Sequence, residues 1–254
     1  MVHLCISLPI APMQHDLKFV WSYLIRSCRT SSLKFWLSWL IGLFISTALI
    51  LPFEPCILSW IRGDQLSTER EIAVFLAVFG KFHYFNLIGT VVLISIAYAR
   101  NDRWLRRVAI SFMLASTLSA IVAQSVKPLV GRPRPSTCRR DNVNRLHVIG
   151  PTLKHGYNSF PSGHTTTTAA GCAVIAIAFP RLIIPCVLFA LSMAWARIYT
   201  NSHFPTDVFH GAIIGCISAY LTTRWIARPR RRSWRLPYSM RSQPISAEKI
   251  NFFS

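Results

Sequence analysis

The segment YNSFPSGHTTTTAAG, Tyr157 to Gly171, places Pro161, Ser162, Gly163 and His164 at the start of a long apolar run. Proline and serine are typical of helix starts, where backbone N–H groups lack partners within the helix. Those N–H groups and the positive end of the helix dipole favour a compact anion. The segment therefore predicts a helix that begins near Ser162 and carries an imidazole in its first turn, although a simple helix cap would also account for it.

Composition sets the fold class. The 254 residues are 52% hydrophobic, with a mean hydropathy of +0.38. Several apolar runs have roughly the length needed to cross a hydrocarbon core of about 30 Å. The sequence predicts an all-α integral membrane protein with six transmembrane helices, at residues 33–53, 83–99, 108–126, 162–179, 182–200 and 207–225. A short amphipathic surface helix, starting at Ser67 or Thr68, is predicted after the first span.

The net charge of +19 lies between the apolar runs. Nucleic-acid binding is one interpretation of such a charge, but basic loops that flank membrane helices fit this distribution better. We expect an N-terminal cytoplasmic leader at 1–32, of which the first segment, MVHLCISLPIAPM at 1–13, is loosely structured or at the membrane surface. A membrane domain at 33–226 and a basic cytoplasmic tail at 227–254 should follow it.

The basic segments also predict the orientation in the cell (inner) membrane. Six spans put both termini on one side, together with the RNDRWLRR connection at 100–107, and the positive-inside rule makes that side the cytoplasm. The loop at 127–160 then faces the outer (periplasmic or extracytoplasmic) side. Its many Lys and Arg residues run against the rule, so they should serve another purpose.

Three short clusters stand at the outward ends of the spans. They are KPLVGRPRP at 127–135, PSGH at 161–164 and ARIYTNSHFPTD at 196–207. Lys and Arg side chains in one pocket would supply charge-assisted donors suited to phosphate oxygens. Taken singly, the cations could equally be membrane anchors.

The third cluster holds a histidine and a carboxylate four residues apart. At that spacing Asp207 could reach one ring nitrogen of His203 and leave the other nitrogen as a nucleophile. His164 would then be free to protonate a leaving oxygen. A polar pair at a helix interface is the alternative for His203 and Asp207.

The three clusters resemble the motifs of the type 2 phosphatidic acid phosphatase superfamily, which shares its site with bacterial acid phosphatases and vanadium-dependent haloperoxidases. That family's pattern is K-x6-RP, PSGH and SR-x5-H-x3-D. Here it reads Lys127 with Arg134–Pro135, then Pro161–His164, then Arg197, His203 and Asp207. The resemblance covers roughly Glu54 to Trp225. Ala196 replaces the serine of the third motif, which affects a contact beside the site and not the nucleophile.

The resemblance implies a role for each motif residue. His203 would attack phosphorus and become a phosphohistidine, Asp207 would orient it, and His164 would protonate the leaving oxygen. The phosphate-binding groups would be Lys127, Arg134, Arg197, the Ser162 hydroxyl and the Gly163 N–H. Family members need no metal or other cofactor.

The function predicted on this basis is that of a membrane lipid phosphatase, with a phosphorylated membrane lipid as substrate. It would hydrolyse a phosphomonoester or pyrophosphate of the phosphatidic acid, phosphatidylglycerol phosphate, undecaprenyl pyrophosphate or lipid A type. A lipid phosphotransferase with the same site and a non-catalytic lipid-binding protein are the alternatives.

Four further residues carry expectations of their own. His155 and Lys154 could touch the substrate headgroup, and His210 could support the site. Cys56 and Cys138 would both lie outside the spans on the outer side, where they could form a disulfide.

Overall fold

A computed structural model of the chain describes residues 10–62, 67–81 and 83–226, and in these ranges every regular element is helical. The helices are α1 (Ile10–Thr30), α2 (Leu33–Ile50), α3 (Glu54–Arg62), α4 (Ser67–Phe79), α5 (Gly89–Ala99), α6 (Arg103–Val130), α7 (Pro135–Asp141), α8 (Gly163–Ala178), α9 (Ile183–Tyr199) and α10 (Pro205–Thr223). A π-helical segment, His83–Ile88, leads directly into α5. The predicted tail at 227–254 lies outside these ranges.

Helix α6 is the longest helix described, and both of its ends have clear causes. Asp102 caps the start, since its carboxylate accepts hydrogen bonds from the N–H groups of Trp104 (2.8 Å) and Leu105 (3.2 Å). Gly131 ends the helix in the left-handed region, at φ 63°. A Cβ there would collide with the carbonyl of Gly150, so the turn depends on glycine. This turn directs the chain into the Arg132–Arg134 segment.

Helices α6, α8 and α10 form the centre of the bundle. Helix α10 approaches α8 closely at Gly211, where a Cβ would lie 2.7 Å from the Ser162 carbonyl and 2.9 Å from the Thr166 hydroxyl. Thr166 and its neighbours at 165–168 are buried, and its hydroxyl donates to the Ser162 carbonyl at 2.6 Å. The hydroxyls of Thr166 and Thr167 thus bond to carbonyls of the preceding turn, whereas the buried Thr168 hydroxyl has no hydrogen-bond partner among the described residues.

The described helices only partly match the six predicted spans. Three stretches are long and apolar enough to cross a membrane: Leu33–Arg62, Arg103–Asp141 and Pro180–Tyr199. Residues 68–79 and 84–99 pass the same test only together, as a pair bent by 58°, which makes them a broken span or a re-entrant pair, and the surface helix stays a prediction. Helix α8 has 16 residues and is too short for this test, and α10, with 19 residues, is not apolar enough.

The leader is more ordered than predicted. Residues 10–30 form α1, which packs on α6 and α10 and buries Val20 completely. Asp16, 1% exposed, accepts from Arg106 Nε at 3.0 Å and Arg107 Nε at 2.9 Å. Residues 10–13 of the segment predicted to be loose or at the membrane surface therefore begin an ordered helix, and residues 1–9 lie outside the described ranges.

Cys56 and Cys138 are both free thiols in the structure. The disulfide that the sequence allowed between them is therefore absent.

Candidate active site

A cavity of about 500 Å³ opens between the C-terminal ends of α6 and α9, the N-terminal end of α8 and the loops beside them. It is lined by Lys81, Ala120, Gln124, Lys127, Arg134, His155, Asn158, Gly163, His164, Thr167, Arg197 and His203. The structure thus brings together residues from all three clusters, although up to 76 positions separate them in the sequence. The predicted residues Ser162 and Asp207 lie behind the cavity wall, both fully buried.

The backbone places the cations around the cavity. Lys127 lies in the last turn of α6, and Arg134 immediately precedes α7 as its N-cap residue. The Arg134 N–H donates to the Gly156 carbonyl at 2.8 Å, which holds the segment containing His155 against the turn. Gly163 starts α8 beneath Lys127, since a Cβ there would lie 3.5 Å from Lys127 Nζ. A glycine at this position leaves room for a ligand between the lysine and the helix start.

Two of the arginines present unused donors. Among the residues described, Nε of Arg134 and Nε of Arg197 are buried and have no hydrogen-bond acceptor. Buried N–H groups without a partner are unfavourable, so both would gain from an oxygen-rich anion. With Lys127, only 8% exposed, they form a site for phosphate oxygens.

His203 is held differently from the sequence prediction. Its Nδ1 lies 2.7 Å from the carbonyl oxygen of Ser159 and 3.9 Å from Asp207 Oδ2. A carbonyl only accepts, so Nδ1 carries the proton and Nε2 keeps its lone pair. The expectation that Asp207 fixes this tautomer directly is wrong, because the backbone of Ser159 occupies that position.

The electrostatic surroundings of His203 keep it neutral. The side chain is 1% exposed. Burial lowers its pKa well below the ordinary value, and the charges of Arg197, Lys127 and Arg134 lower it further. An unprotonated imidazole is the form that acts as a nucleophile.

Asp207 acts on His203 through Ser159. Its Oδ2 accepts from the Ser159 hydroxyl at 2.5 Å and from the Phe204 N–H at 2.9 Å. The first bond fixes the residue whose carbonyl holds His203, and the second caps α10. Asp207 therefore positions His203 indirectly, through Ser159.

Arg132 and Glu54 complete this support, and the sequence analysis assigned neither of them to the site. Arg132 donates to Asp207 Oδ1 at 2.6 Å and to Glu54 Oε2 at 2.9 Å. Glu54 is fully buried and also accepts from the N–H and hydroxyl of Thr206. We refer to Glu54, Arg132, Thr206 and Asp207 as the support network. A sequence signal for Glu54 existed, since a lone acid at the end of an apolar span is unfavourable unless paired.

Three other expectations concern Ser162, His210 and Ala196. The Ser162 hydroxyl is buried and lies 3.0 Å from Thr165 Oγ1, and its part in phosphate binding stays a prediction. His210 bonds the Thr206 carbonyl (2.7 Å) and the Thr47 hydroxyl (2.8 Å), which ties α10 to α2. Ala196 is fully buried in a cluster with residues of α4 and α9, away from the cavity.

The remaining two expectations concern the headgroup. His155 lines the cavity, whereas Lys154 is exposed outside its wall. In the part of the chain that the structure describes, no three His, Cys, Asp or Glu side chains are grouped as a metal site would require.

Residues 108–231 match the family model of the PAP2 superfamily. The match spans 124 of the 254 residues, and this part of the chain is similar to that superfamily. Its motif residues all fall inside the matched range, whereas Glu54 and Lys81 precede it. Among curated proteins it is similar to lipid A 1-phosphatase of Rhizobium johnstonii, with 32% identity over 111 residues that cover 43% of this chain and 44% of that protein.

The chain is also similar to the undecaprenyl-diphosphatase of Sulfolobus acidocaldarius. The two are 22% identical over 165 residues, which are 65% of this chain and 74% of that protein. The chain spans about half the length of the first curated relatives it matches. The crystal structure of a PAP2-type phosphatidylglycerolphosphate phosphatase from Bacillus subtilis superimposes with a TM-score of 0.59 and 17% identity, over 77% of this chain and 98% of that one. This likeness establishes the PAP2 fold, that of an all-helical membrane protein.

Proposed function

We propose that the protein is a membrane lipid phosphatase that transfers a phosphoryl group from a phosphorylated lipid to His203 and then to water. The observation that carries the proposal is the geometry at His203. Its Nδ1–H is held by the Ser159 carbonyl at 2.7 Å, and the side chain lines the cavity that Lys127, Arg134 and Arg197 share. Relatives named as a lipid A 1-phosphatase and an undecaprenyl-diphosphatase support the same class of reaction.

The proposed reaction has two steps. The lone pair of His203 Nε2 attacks phosphorus, the bond from phosphorus to the leaving oxygen breaks, and His164 donates a proton to that oxygen. Lys127, Arg134, Arg197 and the Gly163 N–H stabilise the charge on the non-bridging oxygens. Water then attacks the phosphohistidine, its proton passes to His164, and the P–N bond returns its electron pair to Nε2.

We also propose the finer membrane arrangement. Residues 33–226 would form one domain with six crossings, in which α8 and α10 cross at the protected centre of the bundle. Both termini would be cytoplasmic, and the cavity would open to the outer side of the cell membrane. The basic connection at 100–107 supports this orientation. A reporter fused at Arg145 should be active on the outer side, and a cytoplasmic signal from it would reverse the assignment.

Release of inorganic phosphate from lipid phosphates in detergent micelles tests the activity itself. The wild-type protein should release phosphate, and His203→Ala should abolish release while the protein remains folded and inserted. Acid-labile, base-stable label on the protein after a rapid quench with radiolabelled substrate would identify phosphohistidine. Unchanged release by His203→Ala would exclude the mechanism, and label recovered on an added lipid acceptor would indicate a phosphotransferase.

A further inference from the structure

Lys81 adds a fourth cation to the wall of the cavity, and it belongs to none of the three motifs. It follows α4 and precedes the π-helical segment at 83–88. The cavity lining contains four Lys or Arg residues and no Asp or Glu. A single phosphate group carries about −1.5 to −2 charge at pH 7, which three of these cations already exceed. The fourth cation therefore points to more negative charge on the substrate.

The cavity is long enough for a second phosphate. On α6 its wall runs from Lys127 through Gln124 to Ala120, seven residues that rise by roughly 10 Å at 1.5 Å per residue. Deeper along α6, Ser116 Oγ donates to Asn86 Oδ1 at 2.7 Å, which fixes the π-helical segment to this face. Lys81 precedes Asn86 by five residues, and the segment that holds both runs antiparallel to α6. Lys81 therefore lies near the Ala120–Gln124 end of the cavity.

Lys81 also lies on the side of the predicted proton donor. Thr167, one turn after His164, lines the same end of the cavity. Lys81 is among the positive charges that act on His164, after Arg197 and Lys127, and it is not among those that act on His203. In-line transfer puts the leaving group opposite the attacking nitrogen. Lys81 is therefore placed beside the leaving group and not beside the phosphoryl group that moves.

We propose that Lys81 binds the lipid-linked phosphate of a lipid diphosphate, and that lipid diphosphates are the preferred substrate class of this protein. The inference rests on the proposed phosphatase function. His203 Nε2 attacks the terminal phosphorus, the bridging P–O bond breaks, and its electron pair stays on the departing lipid monophosphate. Lys81 stabilises the charge that develops there. An alkoxide leaving group has no such oxygens for Lys81 to bind.

Farnesyl diphosphate and farnesyl monophosphate test the proposal, because they share one tail and differ only in the second phosphate. We expect the wild type to favour the diphosphate in kcat/KM by at least about 10-fold, since one charge-assisted contact in the transition state has about that effect. Lys81→Ala should lower diphosphate turnover by about 10- to 100-fold and monophosphate turnover by less than about 3-fold. Lys81→Arg should keep most of the preference, because it keeps the charge.

Lys34→Ala removes an exposed lysine on α2 outside the cavity and serves as the matched control. Retained monophosphate hydrolysis shows that Lys81→Ala is folded. An equal loss on both substrates, or an unchanged ratio between them, would overturn the role of Lys81 and leave the phosphatase function intact. A wild-type protein that releases phosphate from neither substrate nor from phosphatidic acid would overturn the proposed function, and this inference with it.

Discussion

Replacing Arg132 with methionine would test whether the support network holds the nucleophile in place. Arg132 is 6% exposed and is the shared partner of two fully buried carboxylates, Asp207 at 2.6 Å and Glu54 at 2.9 Å. It also donates to the Thr206 hydroxyl at 2.6 Å. Methionine preserves much of the side-chain volume and removes every one of these donors. The substitution therefore leaves two buried negative charges next to each other.

The structure sets the size of the expected effect. Removing one partner of a buried ion pair costs about 3–5 kcal/mol. For a protein of this size that corresponds to a fall in Tm of roughly 6–20 °C. Arg132 does not line the cavity, so KM should change little. Loss of position at Asp207 and Ser159 should move His203 and lower kcat by about 100-fold, as a displacement near 1 Å can do.

The assay is thermal unfolding of the protein in lipid nanodiscs, with kcat and KM measured on the same samples. Arg140→Met is the matched control, because Arg140 pairs with Asp141 on an exposed surface and should change neither Tm nor kcat. The double variant Glu54→Gln/Arg132→Met removes one of the two unpaired carboxylates. It should therefore melt at a higher temperature than Arg132→Met alone.

Two results would refute this reasoning. One is an Arg132→Met protein whose Tm stays within about 2 °C of the wild type, which is under 1 kcal/mol at this chain length. The other is a double variant that is less stable than the single one, since the strain would not then come from unpaired charge. A raised KM with unchanged kcat would instead mean that Arg132 binds substrate.

Two further predictions follow from the packing and the electrostatics. Gly211→Ala should destabilise the protein by about 1–3 kcal/mol and reduce phosphate release, because the added methyl group would lie 2.7 Å from the Ser162 carbonyl. An unchanged Tm and rate would show that α8 and α10 have room to separate. The pKa of His203 is lowered by burial and nearby cations, so the nucleophile should stay unprotonated at pH 6 and the initial rate of phosphohistidine formation should agree with that at pH 7.5 within about 2-fold. The unfolded chain binds a proton at His203 more readily than the folded protein does. His203 should therefore contribute stability above about pH 6.5 that is lost as the pH falls toward its folded pKa. A Tm that rises on acidification of the wild type, relative to His203→Ala, would contradict the lowered pKa.

The sequence was most informative where chemistry and local spacing coincide. Lys127, Arg134, His164, Arg197 and His203 could be singled out as one candidate constellation because each stands at the end of an apolar run. The structure places all five on one cavity. Their catalytic roles stay a prediction until the variants are measured.

The sequence was least informative about contacts between distant segments. Spacing suggested a direct bond from Asp207 to His203, but the backbone of Ser159, 44 residues earlier, lies between them. Glu54 pairs with Arg132 across 78 positions, and no local pattern specifies such a partner. Lys81 escaped notice because a lone lysine beside an apolar helix is ordinarily a membrane anchor.

The six crossings stay a prediction, and the inner helices show why hydropathy alone does not count them. Hydropathy identifies helices that face lipid, and α8 and α10 face other helices instead. Four consecutive threonines in α8 lower its apolar character without exposing polar groups, since Thr166 and Thr167 bond to carbonyls of the preceding turn. Composition alone therefore separates outer helices from inner ones better than it counts crossings.

The pairing of Glu54 with Arg132 means that the motif-bearing half of the chain is not a self-contained module. Residues 108–231 carry Arg132 and Asp207, but the second buried carboxylate comes from the start of α3, outside that range. A chimera that grafts 108–231 onto the N-terminal helices of a PAP2 protein would inherit the catalytic motifs and still lack this counter-charge. Transplantable activity should accordingly require Glu54 to travel with the graft.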